Sequence, residues 1–209
     1  MNEIIISKVE VQKNHNDRVS IFVEDKYFAS MYLDTAVKYG IKKDLKIDEE
    51  KLKNYIIESE KHLAFDKAVN YQNTAFKTKK QIRDYLNKKG YDKIVVDYVI
   101  DKMCEYGFLD DEKFADMYIS SYEKKYGPNM LKTKLIQKGV SKVIVEEKLS
   151  EFETNEDIID KLLLKKLGNK PPTSENLTKC IRFLSSRGYD YDDIKKSINK
   201  IKKGEMDYE

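Results

Sequence analysis

Hydrophobic and polar positions follow two different rhythms along this 209-residue chain, and the rhythm changes near residue 60. Before that point apolar residues recur at every second position. Ile4 and Ile6, then Val9 and Val11, lead into the turn cluster Asn14-His15-Asn16-Asp17, after which Val19, Ile21 and Val23 alternate strictly. Alternation on both sides of a turn predicts a β-hairpin, because successive side chains of a strand point to opposite faces. Glu24-Asp25-Lys26 offers a second turn ahead of the strand-like stretch Tyr27 to Tyr32. Asp34 is placed to cap a short helix that stops at Gly40, and Asp48 to Glu58 reads as a second helix with Leu52, Ile56 and Ile57 on one face. Residues 1–60 are assigned to a small N-terminal module containing the hairpin and these helices.

Beyond residue 60 the period becomes helical and the pattern repeats. Gly90, Gly139 and Gly188 stand 49 residues apart, and the apolar positions around them keep the same frame. Ile82, Leu131 and Cys180 precede the glycines by eight residues, and Leu86, Leu135 and Leu184 precede them by four. Val96, Val145 and Ile194 follow by six, and Ile100, Leu149 and Ile198 by ten. Upstream, Phe65, Phe114 and Leu163 share the phase. Self-similarity at such a period marks supersecondary units that bury their apolar faces against neighbours, an architecture suited to binding something long. Each unit reads as three short helices, in the first at roughly 61–73, 78–89 and 92–106.

The start and stop signals recur with the apolar frame. Thr78 with Gln81 forms a capping box. Each glycine can take the left-handed conformation that ends a helix, and Asp92, Ser141 and Asp190 follow as caps for the next. Gly127-Pro128 opens the second middle helix with proline where its missing N–H costs nothing. Thr154 with Asp157 opens the third unit, and Asn169 to Thr173 form a Pro-rich connector. The expected fold class is mainly α, with three-helix repeats at 61–106, 107–153 and 154–203 and an acidic tail at 204–209.

Charged residues make up 37 % of the chain, yet its apolar positions are spaced for folding rather than disorder. No apolar run approaches the length of a membrane span and the N-terminus lacks a signal pattern, so a soluble cytoplasmic protein is expected. Cys104 and Cys180 occupy apolar helical positions without metal-like spacing and read as buried reduced thiols. Net charge is only +3, but it is uneven: residues 61–106 carry 10 cations and 6 acids, whereas residues 1–60 carry 10 and 12. Richness in Lys, Ile, Asn and Tyr can follow from genome base composition, so lysine number alone decides nothing.

Catalytic signatures are missing. There is no phosphate loop ending in Gly-Lys-Ser/Thr, no Gly-x-Ser-x-Gly and no His-Glu-x-x-His. The two histidines, His15 in a turn and His62 at a helix start, lack converging partners. Asp110-Asp111-Glu112 could be imagined as a metal site, but three successive acids at a helix start point in different directions and suit capping. No enzyme activity, cofactor or metal is expected.

The positive signal is cationic, and it sits on the middle helices. The first carries Lys77, Lys79, Lys80, Arg83, Lys88 and Lys89 against one acid, with Ile82 and Leu86 marking its buried stripe. In the second repeat Lys124, Lys125, Lys132, Lys134 and Lys138 fall in a stretch free of acids from 124 to 145, interleaved with Tyr122 and Tyr126. Lys179, Arg182 and Arg187 occupy the third. Stacked units would align these helices into an intermittent cationic track, suited to a phosphate backbone or an acidic protein groove. A solvated helix face is the bland alternative for any one lysine. The tyrosines read first as core or half-buried residues rather than base-stacking platforms.

The stretch Gly107 to Ile119, GFLDDEKFADMYI, and the stretch Tyr126 to Ser141, YGPNMLKTKLIQKGVS, resemble the second repeat of the RecX family. Residues Arg18 to Leu52 are similar to the N-terminal extension of its longer members. The likeness covers nearly the whole chain and is most specific in the middle repeat. It matches the family at Leu109, Asp110 and Asp111, at Gly127 and Pro128, and at Lys138 and Gly139. After Gly-Pro, many members carry a basic residue; Asn129 and Met130 stand here instead.

The resemblance implies tandem repeats forming an elongated curved rod that lies in the groove of the RecA–DNA filament. There the family limits filament growth, ATP hydrolysis and strand exchange, and affects RecA-dependent repressor cleavage. The expected function is thus a monomeric, non-enzymatic modulator, inhibitory in direction, of RecA ATPase, strand exchange and coprotease activity. Its expected partners are the RecA filament and, weakly and in a salt-sensitive way, single- and double-stranded DNA. Two other classes fit the same residues: a sequence-specific DNA-binding repeat protein, and a helical adaptor that binds only protein.

Overall fold

The structure is a computed structural model that describes residues 2–13, 15–150, 152 and 154–204. Its contacts divide the chain into two units, Met1–Lys77 with Ile82–Leu109, and Thr78–Gln81 with Asp110–Glu209.

The first unit begins with a four-stranded antiparallel sheet in the order β3-β2-β1-β4. β1 (Glu3–Gln12) and β2 (His15–Val23) form the hairpin that the alternation predicts; Asn14 of its turn lies outside the described residues. A two-residue turn joins β2 to β3 (Lys26–Tyr32), and both of its residues, Glu24 and Asp25, have positive φ (52° and 60°). Such turns match the twist of the strands they connect. β4 (Lys46–Asp48) adds to the free edge of β1 and escapes the sequence pattern, because three residues are too few to show alternation. α1 (Leu33–Lys38) starts one residue before Asp34, whose carboxylate therefore lies inside the first turn; no side chain caps this helix. Ile6, Val19, Ile21 and Met31 are buried beneath the sheet with Leu52.

α2 departs from expectation. The two helices anticipated on either side of residue 60 are one helix, Glu49–Asn73, so His62 lies mid-helix rather than at a start. Its early residues Leu52, Tyr55 and Ile56 pack on the N-terminal core, whereas Ile57, Ala64 and Ala68 pack on the core of the first repeat. Nothing between Glu58 and Lys61 breaks a helix, and Ser59 is buried because its hydroxyl accepts the Tyr32 N–H at 2.8 Å. α3 (Lys79–Lys88) and α4 (Lys93–Glu105) complete that repeat.

The second unit holds two further triplets: α5 (Asp111–Tyr122), α6 (Pro128–Lys138) and α7 (Lys142–Ser150), then α8 (Glu156–Leu167), α9 (Ser174–Ser186) and α10 (Tyr191–Lys202). The 49-residue frame coincides with burial. Ile82, Leu131 and Cys180 are buried, as are Leu86, Leu135 and Leu184, and Val96, Val145 and Ile194. Each triplet has its own core. Asn155 rather than Thr154 caps α8, accepting the Asp157 N–H at 2.9 Å. Residues 205–209 of the expected acidic tail lie outside the described residues.

Within the second unit one seating device is used twice. The Gly127 N–H donates to the Arg187 carbonyl (2.9 Å) and the Asn129 N–H to the Gly188 carbonyl (3.2 Å), so the start of α6 seats on the end of α9. Forty-nine residues earlier, the Thr78 hydroxyl donates to the Lys138 carbonyl at 2.6 Å. The segment Thr78–Gln81 thus seats on the end of α6 in the same register. Both joints need glycine. A Cβ at Gly188 would come within 2.2 Å of the Met130 nitrogen, and one at Gly139 within 2.3 Å of the Lys80 Cβ.

Candidate nucleic-acid interface

α5 places aromatic residues one turn apart, and the loop that follows extends the series. Phe114 and Tyr118 have ring centroids 6.0 Å apart, Tyr118 and Tyr122 4.6 Å, and Tyr122 and Tyr126 5.8 Å. Positions i and i+4 share a helix face, so this ladder is a direct product of sequence spacing. α6 supplies the charge. Lys138 stands 5.4 Å from the centre of the Tyr118 ring, and Lys134, one turn earlier, 5.0 Å from that of Tyr126; Lys125 lies 5.1 Å from the same ring. A cation over an aromatic face gains about 0.5–1 kcal/mol at an exposed site. The contact therefore holds lysines in place without neutralising them. Burial raises the Tyr118 phenol above its usual pKa, helped by Tyr122 and Tyr126, so this ring stays uncharged. Tyr122 is 36 % exposed and offers ring surface to solvent.

The cation that closes each middle helix meets an aromatic ring in all three repeats. Lys89 lies 5.7 Å from Tyr85, Lys138 faces Tyr118, and the Arg187 guanidinium lies 4.4 Å from Phe183. In the first unit Tyr85 also stacks on Tyr71 at 4.2 Å, and Lys77 sits 4.9 Å from the Tyr71 ring.

The other expected cations are divided among several settings. Arg83 is paired with Asp97, Lys132 with Glu146 and Lys179 with Glu175, so three of the set already have a carboxylate partner. Arg187 donates to the Lys125 carbonyl at 3.2 Å and helps hold the repeat joint. Lys79, Lys80 and Lys88 are exposed, and the Lys79 backbone N–H is held by the Asp111 carboxylate at 2.9 Å. Lys124 lines a hollow with Phe152, Asn155 and Tyr189. Arg182 lines another with Lys166 and Lys170. The acidic run at 110–112 serves structure: Asp110 caps α5, accepting the Lys113 N–H at 3.0 Å, and Asp111 caps α3. Among the described residues no group of three or more His, Cys, Asp or Glu is placed to hold a metal ion. Nor, among them, is any helix long and apolar enough to cross a membrane.

Four family models match successive parts of the chain. They are the regulatory protein RecX N-terminal domain over residues 4–48, and the first, second and third RecX three-helix domains over 64–103, 110–149 and 154–198. The chain belongs to the RecX family of regulatory proteins. The "Regulatory protein RecX" of Clostridium tetani (strain Massachusetts / E88) is 34 % identical over 202 residues, covering 94 % of each chain. That of Clostridium botulinum (strain Alaska E43 / Type E3) is 36 % identical over 201 residues, covering 93 % of this chain and 95 % of its own. A crystal structure titled regulatory protein RecX superimposes with a TM-score of 0.64 at 20 % identity, covering 92 % of this chain and 97 % of that one. RecX from Lactobacillus salivarius gives 0.63 at 21 %, covering 68 % and 97 %. The two structures share the fold.

Within the RecX frame, the departure at Asn129 and Met130 has a structural reason. The Asn129 amide donates to the Asp190 carboxylate at 2.8 Å, and Met130 packs against Gly188, so both positions are spent on the joint between repeats. Sequence reasoning missed Tyr118, Lys166 and Lys170. Tyr118 was findable, one helical turn from both Phe114 and Tyr122. The two lysines were not, because they meet α9 only through the fold.

Proposed function

We propose that this RecX-family protein binds the RecA–DNA filament and restrains RecA, lowering its ATP hydrolysis, strand exchange and coprotease activity. It acts as a binding regulator rather than an enzyme. The observation that carries this reading is the ladder Tyr118-Tyr122-Tyr126 with Lys125, Lys134 and Lys138 held over its rings. A polyanion binds where cations are fixed, unpaired and backed by uncharged surface, since little entropy and no competing ion pair must then be given up. α6 contains no acid, and Lys132 alone among its lysines has a carboxylate partner in the described residues. Contacts from more than one repeat would let one molecule engage successive RecA protomers and hinder the movements that accompany ATP turnover.

The test is RecA ATPase on single-stranded DNA with the wild-type protein and with Lys125→Glu/Lys134→Glu/Lys138→Glu. The concentration for half-inhibition rises at least roughly tenfold, the equivalent of about 1.4 kcal/mol of lost binding, while helical circular dichroism is retained. Unchanged inhibition removes the ladder from the interface.

A further inference from the structure

The third repeat carries a second cationic feature that the ladder does not account for. A hollow of about 400 Å³ opens between the end of α8 and the middle of α9, lined by Lys166, Lys170, Lys179 and Arg182 with Asn176 and Phe183. No acid lines it. Among the described residues Lys179 alone of its four cations is in an ion pair, with Glu175 at 2.7 Å. Three acids of this repeat are engaged away from it: Glu156 and Asp160 hold Lys200, and Asp193 holds Lys196. Over residues 154–203 cations outnumber acids by 12 to 7.

Two structural explanations for the cluster fall short. A helix C-terminus attracts cations, which accounts for Lys166 in the last turn of α8. It does not account for Lys170, which lies beyond that helix, or for Lys179 and Arg182, which lie within α9. Repeat symmetry does not produce the cluster either. The positions 49 residues before Lys166, Lys170, Lys179 and Arg182 are Met117, Ser121, Met130 and Thr133, none of them charged. Like charges gathered around a concavity repel one another, and an anion in their midst relieves that repulsion. Lys166 and Arg187 already stand 5.2 Å and 4.4 Å from the Phe183 ring centre, so the aromatic in this hollow is spoken for and base stacking is not what the hollow offers.

We propose that this hollow is a phosphodiester-binding site, distinct from the tyrosine ladder, that grips the backbone of a nucleic-acid strand without reading its bases. The inference rests on the reading of the protein as one that meets DNA, and adds Lys166 of α8 and Lys170 just beyond it to the contact.

The experiment is binding of the full-length protein to a labelled single-stranded oligonucleotide over a salt series. It compares wild type, Lys166→Ala/Lys170→Ala/Arg182→Ala and the ladder triple variant. Three lost phosphate contacts at about 0.7 each flatten the slope of log K against log salt by about 2, and low-salt affinity falls at least roughly tenfold. Thermal unfolding without DNA supplies an independent readout: the hollow variant keeps or raises its midpoint, because repulsion is relieved. Unchanged slope and affinity in the hollow variant overturn the site, whatever the ladder variant does. A lowered midpoint with unchanged slope assigns the cations a structural role and also overturns it. Loss of slope in the hollow variant alone sustains the site and transfers the failure to the ladder. Pyrophosphate at equal phosphate concentration does not displace the strand; displacement recasts the hollow as a free-phosphate site and overturns the assignment to a polymer backbone.

Discussion

Gly90 and Gly188 hold the same repeat position and nearly the same backbone conformation, with φ of 84° and 85°. Gly90 faces open space, whereas a Cβ at Gly188 would meet the Met130 backbone. Gly90→Ala therefore costs only the left-handed backbone penalty, about 1–2 kcal/mol. Gly188→Ala adds overpacking of roughly 1–3 kcal/mol and strains the seat of α6. Urea unfolding of the two variants measures the difference, and equal losses would mean that the joint yields freely. The glycines and their period are plain in the sequence; the second burden on Gly188 is not, because it depends on a partner 58 residues away. Tyr91 gives a pH signature at this scale. Burial, then the nearby Glu60 charge, pushes its phenol up to about 12 from 10.0. The folded state thus favours the protonated phenol, and its contribution to stability is complete below pH 10 and is lost as pH rises from 10 through about 12. Phenolate absorbance should show a tyrosine titrating late in that window, absent in Tyr91→Phe.

At the scale of the element, helix starts are the joints. Thr78 completes the capping box with Gln81, whose side chain accepts the Thr78 N–H at 3.0 Å, and its buried hydroxyl also donates to the Lys138 carbonyl. Thr78→Ala removes a cap and a buried hydrogen bond together, about 2 kcal/mol in all. Thr78→Ser keeps both and should stay near wild type in thermal unfolding; an equal loss in the two variants would point to the methyl group instead. The box is legible from spacing alone. Its second bond is a contact 60 residues away that no local pattern announces. The same limit explains the merged α2: a boundary was expected where charge and rhythm change, but a helix ends only where a breaker or cap stops it, and Glu58-Ser59-Glu60-Lys61 supplies neither.

For the whole molecule, the apolar frame makes the repeat fold readable, because every unit must bury the same stripe. The interface is less readable, since a lysine's availability depends on what the fold sets beside it. Arg83, Lys132 and Lys179 look equivalent to Lys134 and Lys138 in the sequence, yet the first three face carboxylates and the last two face tyrosine rings. A net charge of +3 is too small to bind polyanions by bulk attraction, so the proposed function requires that affinity come from these local groupings. The direct measurement is titration of labelled full-length protein against bare single strands, random duplex and RecA-coated single strands across a salt series. Binding tightest to the coated filament, with weak and steeply salt-dependent binding to bare DNA of any sequence, is the expected result. Equal affinity for bare and coated strands, or a preference for one duplex sequence, would contradict it.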